Sequence, residues 1–150
     1  MPEFDIRERT IADIHSGYRD GSLTARAVTQ AYLDRIAAYD KRGPYLNSLI
    51  CVNPRALEEA DRLDTAFRET TELTGPLHGI PVIVKDNLDT ADLPTSSGVA
   101  LFRNFIPSAD AFVVSRLRAA GAIVIAKASL SELSMGLADT INSVLDFYHL

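Results

Sequence analysis

Apolar residues in the first seventy positions recur mainly at helical spacing. Ile11, Ile14 and Tyr18 share one face of a short segment in which Thr10 followed by Asp13 resembles a capped helix start and Gly21 can stop it. Thr24 can cap a second, longer helix in which Val28, Tyr32, Ile36 and Tyr39 repeat at four- and three-residue spacing, with Asp34, Arg35 and Asp40 on other faces. Aromatic residues at that spacing read as core, and Asp40 to Pro44 ends the helix. Leu46 to Val52 reads as a strand. Asn53-Pro54 then starts a third helix with proline at the first helical position, where its missing N–H costs nothing. Ala56, Ala60, Leu63 and Phe67 keep to one side of it, while Glu58/Arg62 and Asp64/Arg68 stand at i,i+4 on a face that reads as solvated.

The period changes after Thr74. Gly75-Pro76-Leu77-His78-Gly79 is a turn feeding an unbroken β-rich run, Ile80 to Val84, which ends on Lys85-Asp86-Asn87. Such continuous runs mark parallel strands covered on both faces, and in open α/β sheets ligands bind beyond the carboxyl ends of those strands. Lys85 therefore sits at a strand mouth where chemistry is common, although the local pattern alone reads first as a solvated residue following a core segment. The polar stretch Asp86 to Gly98, with Thr95-Ser96-Ser97-Gly98, reads as turn chemistry before it reads as a pocket lining. Ser108 is expected to begin a helix carrying Val113, Val114, Leu117 and Ala120, with Arg116 and Arg118 in its last turn and Gly121 just beyond it. Ala122 to Ala126 reads as a second buried strand, so residues 80–126 make a right-handed βαβ unit. Lys127 ends this strand much as Lys85 ends the first, and by spacing the two are equal candidates. Ser129-Leu130-Ser131-Glu132 is a capping box for a short helix that Gly136 can close, which makes the Ser129 and Ser131 hydroxyls structural.

Composition narrows the picture. A chain of 150 residues, 47% hydrophobic and 23% charged, suits one globular unit large enough for a real core. A net charge of −5, with basic residues interleaved among acids, leaves no nucleic-acid footprint. The single cysteine, Cys51, lies in an apolar run and reads as a small core residue in a reducing compartment. No stretch is apolar enough to span a bilayer and the first residues lack a leader's apolar region, so a cytoplasmic location is the expectation. His15, His78 and His149 are scattered, and no metal site is expected.

Three segments, Gly75 to Asn87, Arg116 to Lys127 and Ser129 to Gly136, resemble the N-terminal part of the amidase signature family, and the resemblance runs in order from about Ile11 to Leu145. It implies the N-terminal part of the amidase signature fold, an α/β arrangement of a mixed β-sheet with covering helices, and hydrolysis of carbon–nitrogen amide bonds through a Ser–cisSer–Lys triad, without a cofactor. The substrate implied is a small-molecule amide. In that family the lysine of the Pro-Val-x-Val-Lys-Asp-Asn segment is the base, which by position is Lys85; only the resemblance favours it over Lys127. A lysine can take a serine's proton only when neutral, a state that burial and neighbouring donors promote.

The chain also departs from the family's pattern. Ser96-Ser97-Gly98-Val99 stands where the family tends to carry Thr-x-Gly-Ser, so no hydroxyl contact is assigned at Val99. Asp139 to Leu145 resembles the lead-in to the family's glycine- and serine-rich loop, but the tail Asp146 to Leu150 diverges and no Gly-Gly-Ser-Ser-Gly segment occurs. Nothing around Ser96 or Ser97 resembles that loop. Residues 1–150 are thus expected to form an incomplete amidase signature domain holding the base without the nucleophile, the bridging serine or the oxyanion hole. Two outcomes follow: the N-terminal part of an amidase, or a catalytically silent truncated product or interaction module, with silence expected of this chain alone. Its uncovered sheet is expected to favour oligomerisation or aggregation.

Overall fold

A computed structural model describes residues 5–135. Helix α1 (Ile11–Arg19) opens on a reciprocal capping box: Thr10 Oγ1 accepts from the Asp13 N–H at 3.1 Å and the Asp13 carboxylate accepts from the Thr10 N–H at 2.9 Å. Ile14 and Tyr18 turn inward, whereas Ile11 stays exposed. Helix α2 (Ala25–Tyr39) is capped by Thr24, as expected, and by a second group from elsewhere. Asp64 accepts from the N–H groups of Ala25 and Arg26 at 2.7 and 3.0 Å. This corrects the expectation of a solvated Asp64/Arg68 pair: free N–H donors and the positive end of a helix dipole hold the carboxylate instead. Arg68 turns to the Thr65 hydroxyl at 2.8 Å.

Strand β1 (Leu49–Val52) is shorter than the expected run from Leu46. Tyr45 and Asn47 have left-handed backbone, with φ of 55° and 48°, which breaks the extended chain, and Leu46 is exposed. Helix α3 (Ala56–Thr70) begins after Pro54 rather than on it. Asn53 organises that entry: its Oδ1 accepts from the Arg55 N–H at 2.9 Å and its Nδ2 donates to the Val124 carbonyl at 2.8 Å.

The βαβ unit forms as read, with β2 (Pro81–Lys85), α4 (Phe112–Ala119) and β3 (Ile123–Ala128). Helix α4 starts four residues past Ser108, because Ala111 N–H donates to the Asp89 carbonyl and Asp110 accepts from the Ala91 N–H, tying this approach to the preceding loop. The sheet order is β1-β3-β2, with β3 parallel to β2 and antiparallel to β1, so the sheet is mixed. The expectation that both parallel strands are buried holds for only one of them. β3, buried from Ile123 to Lys127, is the central strand, whereas β2 lies at the edge of the described sheet with Ile83 48% exposed. An edge position also accommodates Pro81, which has no N–H to give.

One face of the sheet packs on α1 to α3 through Ile14, Tyr18, Val28, Leu63, Ile123 and Ile125; the other gathers Val84, Leu93, Val114 and Val124 beneath α4. The turn into β2 is fixed from both sides. Gly121, at φ +91°, lets its backbone pass His78 so closely that a Cβ there would lie 2.8 Å from His78 Cα. His78 is buried; its Nδ1 accepts from the Thr74 N–H at 3.2 Å and lies 2.9 Å from the Thr74 hydroxyl. From α1, His15 Nε2 meets the His78 carbonyl at 3.0 Å and the Tyr18 hydroxyl donates to the Gly79 carbonyl at 2.9 Å.

Candidate active site

In the β2–β3 ladder Val84 stands opposite Lys127 and Lys85 opposite Ala128. Side chains alternate along a strand, so the two lysines leave the sheet on opposite faces. Lys85 is exposed at the C-terminal end of β2, and its Nζ donates to the Ser129 carbonyl at 2.6 Å. Asp86, the next residue, donates its N–H to the Ala128 carbonyl at 3.0 Å and so extends the pairing one step past the lysine. Lys85 thus occupies the strand mouth expected of it, though its surroundings among the described residues are wet rather than dry.

Lys127 is the buried lysine, with no exposed surface. Its Nζ donates to the Leu88 and Pro94 carbonyls at 2.9 and 3.3 Å and to the Thr95 and Thr90 hydroxyls at 2.8 and 3.2 Å; Asp86 Oδ1 lies 3.5 Å away. Burial pushes its pKa below the usual lysine value, and the Asp86 carboxylate opposes that shift. Spacing along the chain had made the two lysines equal candidates. The sheet separates them, since one amine is committed to oxygens inside the protein and the other stands at the surface.

Asp86 is equally buried and works in two directions. Its Oδ2 accepts from the Ser96 N–H at 3.0 Å, from the Ser96 hydroxyl, and from the Gly98 N–H at 3.4 Å, while its own carbonyl accepts from the Ser97 N–H at 3.1 Å. The hydroxyl-rich stretch therefore serves local structure, as turn chemistry suggested. Sequence reasoning gave Asp86 no role; the available signal was an acid directly after the strand lysine, followed by a loop rich in Thr and Ser.

The segment after β3 forms a three-residue 3-10 turn, Glu132–Ser134, in place of the capped helix expected there, and Gly136 lies outside the described residues. Ser129 meets Lys85 through its carbonyl, not its hydroxyl. Asn87 Nδ2 donates to Ser134 Oγ at 3.1 Å and the Leu133 N–H to the Ser97 carbonyl at 2.9 Å, joining this turn to the loop after β2. Arg118, expected only to suit the end of α4, meets Asp92 at 2.7 Å, Asp110 at 3.1 Å and Glu59 at 3.5 Å, while Arg55 reaches Asp92 at 3.2 Å. These ion pairs fasten the loop over Lys127 to α3 and α4.

Among the described residues no group of three or more His, Cys, Asp or Glu side chains could hold a metal ion, and no helix is long and apolar enough to cross a membrane. Cys51 is half-buried beside the Val84 cluster, and burial pushes its thiol pKa up, as suits a packing residue. The segment Asp139 to Leu150 lies outside the described residues.

The molecule is thus a mixed sheet with a βαβ unit that carries a surface lysine at one strand end and a buried Lys–Asp–Ser cluster beside it. The Amidase family model matches residues 27–146, and the chain belongs to this family. It is 42% identical over 132 residues to a glutamyl-tRNA(Gln) amidotransferase subunit from Alkaliphilus metalliredigens, covering 87% of this chain and 26% of that protein. The native peptide amidase of Stenotrophomonas maltophilia is 46% identical with a TM-score of 0.79, over 84% of this chain and 26% of that one. A fatty acid amide hydrolase superposes at a TM-score of 0.84 with 25% identity, over 97% of this chain and 25% of its own. The chain thus spans about a quarter of the length of these relatives.

Proposed function

We propose that this chain is the N-terminal, lysine-bearing portion of an amide hydrolase, with Lys85 as the base of a Ser–cisSer–Lys triad. The observation that carries the reading is the position of Lys85: it closes the parallel strand β2, with its amine directed onto the Ser129 carbonyl at 2.6 Å. Family membership supports the reaction class, and the names of the relatives support amides as substrates. The serines come from the glycine- and serine-rich segment characteristic of the family, which the sequence of this chain does not contain. Once that segment is brought against the strand ends, Lys85 is covered. It can then relay a proton from the nucleophilic serine through the bridging serine, while backbone N–H groups stabilise the oxyanion.

The substrate is a small-molecule amide bound by the completed protein, and the chain alone is catalytically silent. The solvent-exposed β2 edge, with Ile83 half open to water, supports a unit built to meet further polypeptide. The test is an assay against a panel of small aliphatic and aryl amides, first with the chain alone and then with a polypeptide supplying the remaining three quarters of a relative. Turnover is expected only in the second arm, reduced about 10²- to 10⁴-fold or more by Lys85→Ala. Turnover by the chain alone, abolished by Lys85→Ala, would overthrow its silence; full turnover by the completed Lys85→Ala protein would overthrow the base.

A further inference from the structure

The mechanism makes no use of Lys127, a fully buried cation one strand away from the proposed base. Burying a lysine is unfavourable, and an apolar residue of similar volume is often the more stable choice, so what this side chain holds in place matters more than its contribution to stability. Its five oxygen neighbours all belong to residues 86–95, the loop that leaves β2 directly after Lys85. The loop has no regular secondary structure and wraps its polar groups around a single charge, as a peptide wraps a bound ion.

The backbone of Lys127 and its neighbours is tied to Lys85 as well. Val84 pairs with Lys127 and Lys85 with Ala128, Asp86 N–H donates to the Ala128 carbonyl, and Lys85 Nζ donates to the carbonyl of Ser129. Asp86 closes the circuit, because its carboxylate faces Lys127 on one side and holds Ser96 and Gly98 on the other. Residues 127–129 therefore grip the base's backbone and amine from one side, and the Lys127 ammonium draws in the following loop from the opposite face.

We propose that Lys127 is a positioning residue for Lys85: its buried ammonium is the internal ion about which the 86–95 loop folds, and this holds the Lys85 amine on the Ser129 carbonyl. The proposal deepens the reading of Lys85 as the base and rests on it, yet its test needs no turnover. The chain has three lysines, Lys41, Lys85 and Lys127, so amine acylation can be followed residue by residue. Lys41, held by the Leu49 carbonyl at 2.9 Å, reports on the fold away from this loop.

The experiment measures acylation rates by an N-hydroxysuccinimide acetate, read by peptide mass spectrometry between pH 7 and 10. In the unaltered chain Lys127 is expected to resist the reagent and Lys85 to react slowly. In Lys127→Met, Lys85 is expected to react about ten-fold faster, the effect of releasing one charge-assisted hydrogen bond, with Lys41 unchanged. Millimolar methylammonium or ethylammonium, added to Lys127→Ala, is expected to slow Lys85 relative to Lys41 by refilling the oxygen cage, whereas consumption of the ester by the added amine slows both lysines alike and a general loosening of the fold slows neither. Should Lys127→Met fail to fold, Thr95→Val removes one cage oxygen and keeps the charge; a rise of about three-fold at Lys85 alone is then expected. Unchanged Lys85 rates in a folded variant, a rise shared equally by Lys41, or no response to added alkylammonium would overturn the proposal. Full turnover by the completed Lys85→Ala protein would overturn the base and leave these acylation rates untouched, so the two readings fail separately.

Discussion

Lys127 and Asp86 are both fully buried, with Nζ and Oδ1 3.5 Å apart, and the carboxylate is shared with the Ser96 and Gly98 side of the loop. In a medium poor in water, such a pair stabilises the fold less by its mutual attraction than by the penalty of breaking it. Asp86→Ala is expected to lower stability by about 3–5 kcal/mol, because it leaves a buried ammonium without its counter-charge. Urea titration followed by circular dichroism measures this, with Lys85→Ala as the control. At that exposed position a change within about 0.5 kcal/mol is expected. Equal losses in the two variants would remove the distinction between them.

Gly121 carries the close approach between the end of α4 and the turn into β2. Gly121→Ala places a methyl 2.8 Å from His78 Cα in a backbone region that L-residues seldom adopt. The expected loss is about 1–3 kcal/mol, with the denaturant slope unchanged because the unfolded chain exposes the same surface. A Gly121→Ala variant as stable as the original would show that the turn shifts freely.

The His78 imidazole provides a pH dependence. Burial holds its pKa below the ordinary value and nearby His15 lowers it further, while Asp64 opposes; the Tyr18 and Phe67 rings pack against it. The sign follows from linkage. The unfolded chain binds the proton more readily, so the contribution of neutral His78 is fully present above about pH 6.5 and is lost as pH falls through the lower, folded value. Stability measured at pH 5.5 is expected to fall below that at pH 7.5, and His78→Gln is expected to flatten the slope. An equal slope in that variant would assign the titration to other groups.

Ile83 on the β2 edge lies exposed, as do Leu101, Phe102, Phe105, Ile106 and Phe112. Exposed strand edges and apolar patches promote association. Light scattering is expected to show concentration-dependent growth of the chain in solution, reduced by Ile83→Lys, which places a charge on the edge. A monodisperse monomer at all concentrations, melting cooperatively, would contradict this.

Much of the architecture was legible because its causes are local. The Thr10–Asp13 box, the Thr24 cap, the helical period of α2 and α3, and the strand–helix–strand order around Gly121 depend on near neighbours, and each formed with shifts of a few residues at its ends. The shifted starts of α3 and α4 share a cause: at each, a side chain or backbone group bonds to a partner elsewhere, as Asn53 does with Val124 and Asp110 with Ala91.

By itself the sequence determined the order of the main helices and strands, though not the turn after β3, and the wording around Lys85 pointed to the family to which the chain belongs. It could not rank the two lysines, since each follows an apolar run and burial depends on which strand comes to lie in the middle. Only the tertiary structure decided that β3 is central, that Lys127 is enclosed by the loop after β2, and that Asp86 stands as its buried counter-charge. Those outcomes rest on contacts spanning some forty positions, such as Lys127 to Leu88 and Lys85 to Ser129, which leave no periodic trace along the chain.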